Sequence, residues 1–249
     1  MSGHSKWSTI KRKKGANDAA RAKVFTKIGR ELAVAVKQGG PDPSVNTKLK
    51  DIIAKAKQNN VPGDNIDRML KKAAGETDTA NYEEIIYEGY GPSGVAVVVE
   101  ALTDNRNRTA GEVRHYFDKY GGNMGAANCV SWSFDKKGVI VIDNEDEELD
   151  EDEVMMEVLD AGADDFNAQD DCFEVFTSPA DFSAVREALE AAGYTFLSAE
   201  QDMIPSNTVD VNDPEMIAKI ERMLDMFDDN DDVQEVFHNA ILPEEEDED

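Results

Sequence analysis

The spacing of apolar residues changes character once along the chain. From residue 19 to 37, Val24, Ile28, Leu32, Ala35 and Val36 recur at three- and four-residue intervals, which marks one face of a helix. At 100° per residue, Lys23, Lys27, Arg30 and Lys37 fall on the opposite side. Gly39 and Gly40, with Pro41 and Pro43 beyond them, stop that helix. A second helix is predicted over residues 44–58, with the face Val45, Leu49, Ile52, Ile53 and Ala56, broken by Asn59, Asn60 and Pro62. A third spans residues 64–74, with Ile66, Leu70 and Ala73 inward, Asp64 as its N-cap and Gly75 as its end. Three amphipathic helices with short connections make a small helical domain. The polar stretch from 75 to 81 reads as a linker.

Beyond the linker the pattern suits strands. Residues 84–90 and 94–102 are rich in Ile, Val and Tyr, and residues 107–120 return to helical spacing with Val113, Tyr116, Phe117 and Tyr120. A strand is predicted at 129–134, then a hairpin-like Asp135-Lys136-Lys137-Gly138, then a strand at 139–142. From there the order is strand (139–142), helix (152–161), strand (164–168), strand (172–177), helix (181–191), strand (195–203), the split-βαβ or ferredoxin-like order. A short strand at 208–211, a helix at 213–228 and a last strand at 233–238 follow. The pieces before and after the split-βαβ unit each lack sheet partners. Residues 139–204 are therefore read as an insertion, with 84–134 and 207–240 closing into one discontinuous domain; two sequential α+β domains are the alternative. The expected fold class is α+β: a helical domain (1–78), a discontinuous α+β domain (79–135 plus 205–241), an inserted α+β domain (136–204), both α+β domains ferredoxin-like, and an acidic tail (242–249).

Charge sharpens this division. The 249 residues carry a net charge of -27, but residues 1–75 hold 17 Lys+Arg against 6 Asp+Glu, and the remainder holds 9 against 47. A basic module on an acidic body is the electrostatic footprint of phosphate-backbone binding. Lys6, Lys11, Arg12, Lys13 and Lys14 form a basic arm in which Trp7 could stack on a base or ribose. Lys23, Lys27 and Arg30 extend the basic surface. Within the acidic body, Arg106, Arg108, Arg114, Lys119, Lys136 and Lys137 flank a stretch holding Gly121, Gly122, Asn123 and Gly125, where backbone N–H groups could approach phosphate. The blander account is a solvated basic helix, and a helix end followed by a loop whose arginines pair with local carboxylates.

Other classes find little support. Cys129 and Cys172 stand far apart with no CxxC, which reads as reduced thiols in a cytoplasmic protein. The N-terminus has no secretory pattern, and no apolar run is long enough to span a bilayer, so no membrane partner is expected. The chain has no GxSxG or HExxH, and His4, His115 and His238 are scattered, so no catalytic set and no cofactor is expected. Asp228, Asn230 and Asp232 mimic the first positions of a calcium loop. Val233 then stands where the turn glycine is needed and Asn239 where the bidentate Glu is needed, so no metal site is expected.

Five separated motifs carry a resemblance: GHSKW at 3–7, KVFTKIGRELAVAVKQGG at 23–40, IIYEGYGPSGVAVVVEALTDNRNRT at 85–109, GGNMG at 121–125 and DDVQEVFHN at 231–239. Occurring in this order over residues 1 to about 240, they resemble the YebC family. The resemblance implies three domains around a cavity and a non-enzymatic nucleic-acid-binding regulator of gene expression. Bacterial members are described as probable transcriptional regulators and mitochondrial ones as translational activators, with a ribosome-associated role proposed for the family. Ala127-Asn128-Cys129 departs from the Gly-Ser that commonly follows the glycine motif, which makes that loop a less secure contact than the GHSKW segment. The expected partner is DNA, or ribosomal RNA or tRNA with the ribosome, with irregular RNA suiting a small basic module and its aromatic arm better than duplex DNA. An acidic adaptor for basic proteins is the competing expectation.

Overall fold

The computed structural model describes residues 18–75, 81–145, 149–169 and 171–243, with side chains of the first stretch described from Ala22. Lys6, Trp7, Lys11, Arg12, Lys13 and Lys14 lie outside the described residues, as does the tail from 244.

Helix α1 (Asp18–Gly39) buries Ile28, Leu32, Ala35 and Val36 against Leu49, Ile52 and Ala56 of α2 (Thr47–Gln58) and Ile66 of α3 (Gly63–Gly75). α2 begins three residues later than its periodicity suggests. The Asp42 carboxylate accepts from the Ser44 amide (2.9 Å) and hydroxyl (2.7 Å), which closes a turn there, and Asn46 caps the helix by accepting from the Leu49 amide at 3.1 Å. Val45, expected on the apolar face, consequently precedes the helix and is 77% exposed. Asp64 sits in the first turn of α3 rather than at its cap.

The first sheet has the order β3-β1-β2-β9, from β1 (Glu83–Tyr90), β2 (Ala96–Thr103), β3 (Asn123–Met124) and β9 (Val233–His238). Helices α4 (Arg106–Lys119) and α7 (Pro214–Asp228) cover one face, where Val97, Val99, Val113, Phe117, Ile220, Met223 and Phe227 form the core. β9 pairs with β2 across more than 130 residues of sequence, so the first sheet is built from both ends of the α+β region. A small parallel pair joins β8 (Val209–Asp210) to β10 (Ala240–Ile241).

The second sheet, β5-β6-β4-β7, comprises β4 (Phe134–Asp143), β5 (Asp165–Ala168), β6 (Cys172–Thr177) and β7 (Phe196–Pro205), all paired antiparallel. Helices α5 (Glu151–Asp160) and α6 (Phe182–Ala192) pack on it through Val154, Val158, Val185 and Leu189. This is the ferredoxin-like strand order, inserted between the halves of the first sheet. Both cysteines are free; burial first, then Glu174, Asp171 and Asp143, push the Cys172 thiol up to about 12.

Two local expectations fail here. Residues 131–133 form a 3-10 turn instead of a strand, and β4 runs unbroken through Asp135–Gly138, where a hairpin was expected. Gly138 is required by packing, since a Cβ there would run into the Thr177 hydroxyl and the Phe182 ring. Among the described residues, no helix is long and apolar enough to cross a membrane.

Candidate nucleic-acid interface

α1 lays its basic side against the loop that follows α7. Lys23 pairs with Asp229, and Arg30 Nη1 reaches Asp232 Oδ1 at 2.6 Å and the Asp231 carbonyl at 2.6 Å. Arg30 also lies over the Tyr82 ring, 5.4 Å from its centroid. Lys27 is half-buried between these two positions on the same helix.

Arg108, placed by the sequence in a separate second cluster, converges on the same carboxylate. Its Nη2 lies 2.6 Å from Asp232 Oδ2 and 2.9 Å from Asp104 Oδ1. The Thr109 and Thr103 hydroxyls stand 2.7 and 3.1 Å from Asp232 Oδ2. Burial alone would raise the Asp232 carboxyl, but donation from Arg108, Thr109, Arg30 and Thr103 outweighs it and holds the group at about 2. Arg106 is exposed one position from the Asn105 N-cap of α4, and its carbonyl accepts from the Tyr87 hydroxyl at 3.4 Å.

Between α1, α4 and the acidic loop lies a cleft of about 580 Å3. Its lining sets Lys23, Arg30 and Arg108 against Asp104, Glu112, Asp229, Asp231 and Asp232. With more carboxylates than cations, this cleft is a docking joint between helical head and acidic trunk, and a phosphate entering it would have to displace the chain's own acids.

The joint continues along the head. Lys48 pairs with Glu84 at 2.7 Å and Lys50 with Glu187 at 2.6 Å. The buried Arg186 reaches Asp51 at 3.2 Å. Lys55 Nζ stands 3.3 Å from Glu31, 3.2 Å from Glu200 and 3.4 Å from Glu235, so it gathers carboxylates from α1, β7 and β9. Charge complementarity visible in the composition is thus spent in part on holding the molecule together, which no count by residue could separate from ligand binding.

The glycine-rich stretch is tightly held. Gly121 adopts φ 85°, and the amides of Gly121, Gly122 and Gly125 donate to the carbonyls of Asp118 (3.3 Å), Phe117 (2.9 Å) and Glu88 (2.8 Å). Asn123 is exposed and pairs with Tyr90 in the ladder. A Cβ at Gly122 would lie 2.5 Å from the Tyr90 carbonyl, and one at Gly125 2.5 Å from Cys129 Sγ. Beyond them, the Glu88 carboxylate accepts from the amides of Asn128 (2.8 Å), Val130 (2.9 Å) and Ser131 (2.8 Å). Burial opposes ionisation of Glu88, yet these amides hold its carboxyl below the usual range. The anion seated in this loop is therefore one of the protein's own.

Comparison with known proteins fits this architecture. Family models match over almost the whole described chain: the TACO1/YebC protein N-terminal domain over residues 5–76, and the TACO1/YebC second and third domain over residues 82–240. The chain belongs to the TACO1/YebC family. A "Probable transcriptional regulatory protein" of Acetivibrio thermocellus is 60% identical over 239 residues, covering 96% of this chain and 98% of that one. One of the same description from Ruminiclostridium cellulolyticum is 59% identical over 248 residues and spans both chains in full. Among solved structures, a conserved hypothetical protein from Aquifex aeolicus is 43% identical with a TM-score of 0.82, covering 92% of this chain and 93% of that one. The TACO1/YebC match begins at residue 5, so the basic arm belongs to the shared N-terminal domain.

Proposed function

We propose that this protein is a non-enzymatic regulator of gene expression that grips nucleic acid through its N-terminal basic region. The observation that carries the reading is the head's own charge excess. Residues 1–75 hold seventeen Lys+Arg against six Asp+Glu, an excess larger than the five cations, Lys23, Arg30, Lys48, Lys50 and Lys55, that face trunk carboxylates among the described residues. Such a surplus favours polyanion binding by counterion release. Lys6, Lys11, Arg12, Lys13 and Lys14 contact phosphates in this reading, and Trp7 stacks or anchors the arm. Lys23, Lys27 and Arg30 extend the track by exchanging their present partners for phosphate. The exposed Arg106 and Asn123 supply a second contact, whereas Arg108 is taken by Asp232 and Asp104 and the amides of Gly121, Gly122 and Gly125 by backbone carbonyls. The names of the relatives support a regulatory role, and the partner in this reading is RNA, in the cytoplasm and on the ribosome, ahead of duplex DNA. Use of trunk carboxylates on the head supports assigning the trunk's acidity to docking rather than to basic partner proteins.

Reversing the arm's charge tests the reading. K11E/R12E/K13E/K14E should abolish measurable RNA and DNA binding in a filter or anisotropy assay. Any residual binding should show a log K versus log salt slope shallower by about three, from roughly 0.7 to 0.9 per lost phosphate contact. An unchanged affinity and slope would overturn it.

A further inference from the structure

We propose that Trp132 and Tyr90 form a ledge on which unpaired bases of single-stranded RNA stack. Trp132 is 74% exposed, Tyr90 (42%) meets it at the Cys129 carbonyl, and Ile86 (52%) lies further along the same face of β1. The turn that carries Trp132 is fixed from beneath. Glu88, between Ile86 and Tyr90 on the same strand face, holds the amides of Asn128, Val130 and Ser131, and the Ser133 hydroxyl donates to the Val130 carbonyl at 2.7 Å. Both polar tips of the ledge are spent on one acceptor. Trp132 Nε1 donates to the Cys129 carbonyl at 3.0 Å, and the Tyr90 hydroxyl to the same oxygen at 3.4 Å.

What remains for a ligand is two exposed π-faces whose ring donors both point to one carbonyl. That surface suits a base face, which stacks without needing a hydrogen bond. A protein partner would be better served by an aromatic sunk in a desolvated pocket, and three exposed side chains fall far short of the roughly 800 Å2 per partner of a stable dimer.

The local charge also permits RNA. Lys136, two residues beyond the turn's end at Phe134, acts electrostatically on Glu100, the cross-strand neighbour of Ile86. The exposed Lys136 balances the exposed Asp135 beside it. Glu84 is occupied by Lys48 and Glu88 by the turn. A single strand can therefore lay a base here without the repulsion that most of the trunk exerts.

The inference rests on the nucleic-acid reading, and its test separates the two. Trp7 and Trp132 are the chain's two tryptophans, so full-length W7F keeps a ring in the arm and leaves Trp132 as the sole indole reporter. Twelve-nucleotide oligouridylate should quench its fluorescence, while a twelve-base-pair RNA duplex should not. In the wild-type background, W132A should bind the single strand about tenfold more weakly and the duplex unchanged, with W132F retaining most of the affinity. Circular dichroism checks that the variants fold. Single-strand binding that is equally tight in W132A, without quenching in W7F, would overturn the ledge and leave the arm standing. Self-association that W132A abolishes would assign this face to a second copy and overturn it as well. A wild-type protein that binds no RNA or DNA would remove both readings.

Discussion

Asp232 is a counter-ion held in place by two guanidiniums and two hydroxyls, and its energetics follow from that count. Because its folded carboxyl sits at about 2, below the unfolded value near 4, its stabilisation is complete above the unfolded value and lost as pH falls toward about 2. D232A leaves Arg30 and Arg108 facing each other across a vacated site. It should lower the unfolding free energy at pH 7 by about 3 kcal/mol in urea titrations, and the difference from wild type should shrink steadily below pH 4. The sequence offered Asp232 only as a position of an incomplete calcium loop and a letter of the DDVQEVFHN motif, because its partners Arg30 and Arg108 are 202 and 124 positions away. Glu88 was equally hidden. Strand alternation places it beside Ile86 and Tyr90 as an ordinary outward polar residue, and its work on residues 128–131 depends on a contact 40 positions distant.

The helices were readable from their apolar faces, but the start of α2 was read three residues early because the role of Asn46 was missed. Asn46 caps α2 through its carbonyl, and its amide donates to the carbonyls of Ala35 (2.9 Å) and Gly40 (2.8 Å) at the end of α1. N46A should therefore cost about 2 kcal/mol, since it removes a cap and orphans carbonyls, and N46D should fall between, keeping the cap and losing the donors. Thermal melts followed at 222 nm measure both. Elements set by distant contacts were misread. Residues 129–134 alternate like a strand, yet Glu88 gathers their amides into a turn. Asp135-Lys136-Lys137-Gly138 looks like a hairpin tip, yet β7 pairs along it and Phe182 fills the space a Gly138 side chain would need. The insertion was visible because a βαββαβ order has only a few ways to close, and β9 beside β2 supplies the partner that each flanking piece lacked.

Across the whole molecule, Lys55 is where head, inserted unit and first sheet meet. Burial opposes its charge, but Glu200, Glu31 and Glu235 outweigh that and hold its ammonium well above the usual range. Glu31 itself is pushed up, by burial first. A raised carboxyl costs stability while ionised and stops doing so as pH falls through its folded value. K55M removes the cation that pairs with all three of these acids. It should lower the melting temperature strongly at pH 7, by about 3 kcal/mol of stability, and recover part of that loss at pH 5 as Glu31 takes up a proton. Calorimetry at the two pH values decides; an equal deficit at both would mean that packing, not charge, is what Lys55 supplies. Charge opposition between head and trunk was legible from composition, but its division between docking and ligand was not, because pairing is a matter of position. One connection shapes how such a body responds to load. β4 leaves the first core at Phe134 and ends in the second at Asp143, and β7 returns beside it as far as Pro205. A hydrogen-bonded ribbon resists torsion where two slack tethers would yield. A pull on the far tip of the inserted unit therefore acts as torque on the sheet that carries Trp132, like a handle fixed to its blade.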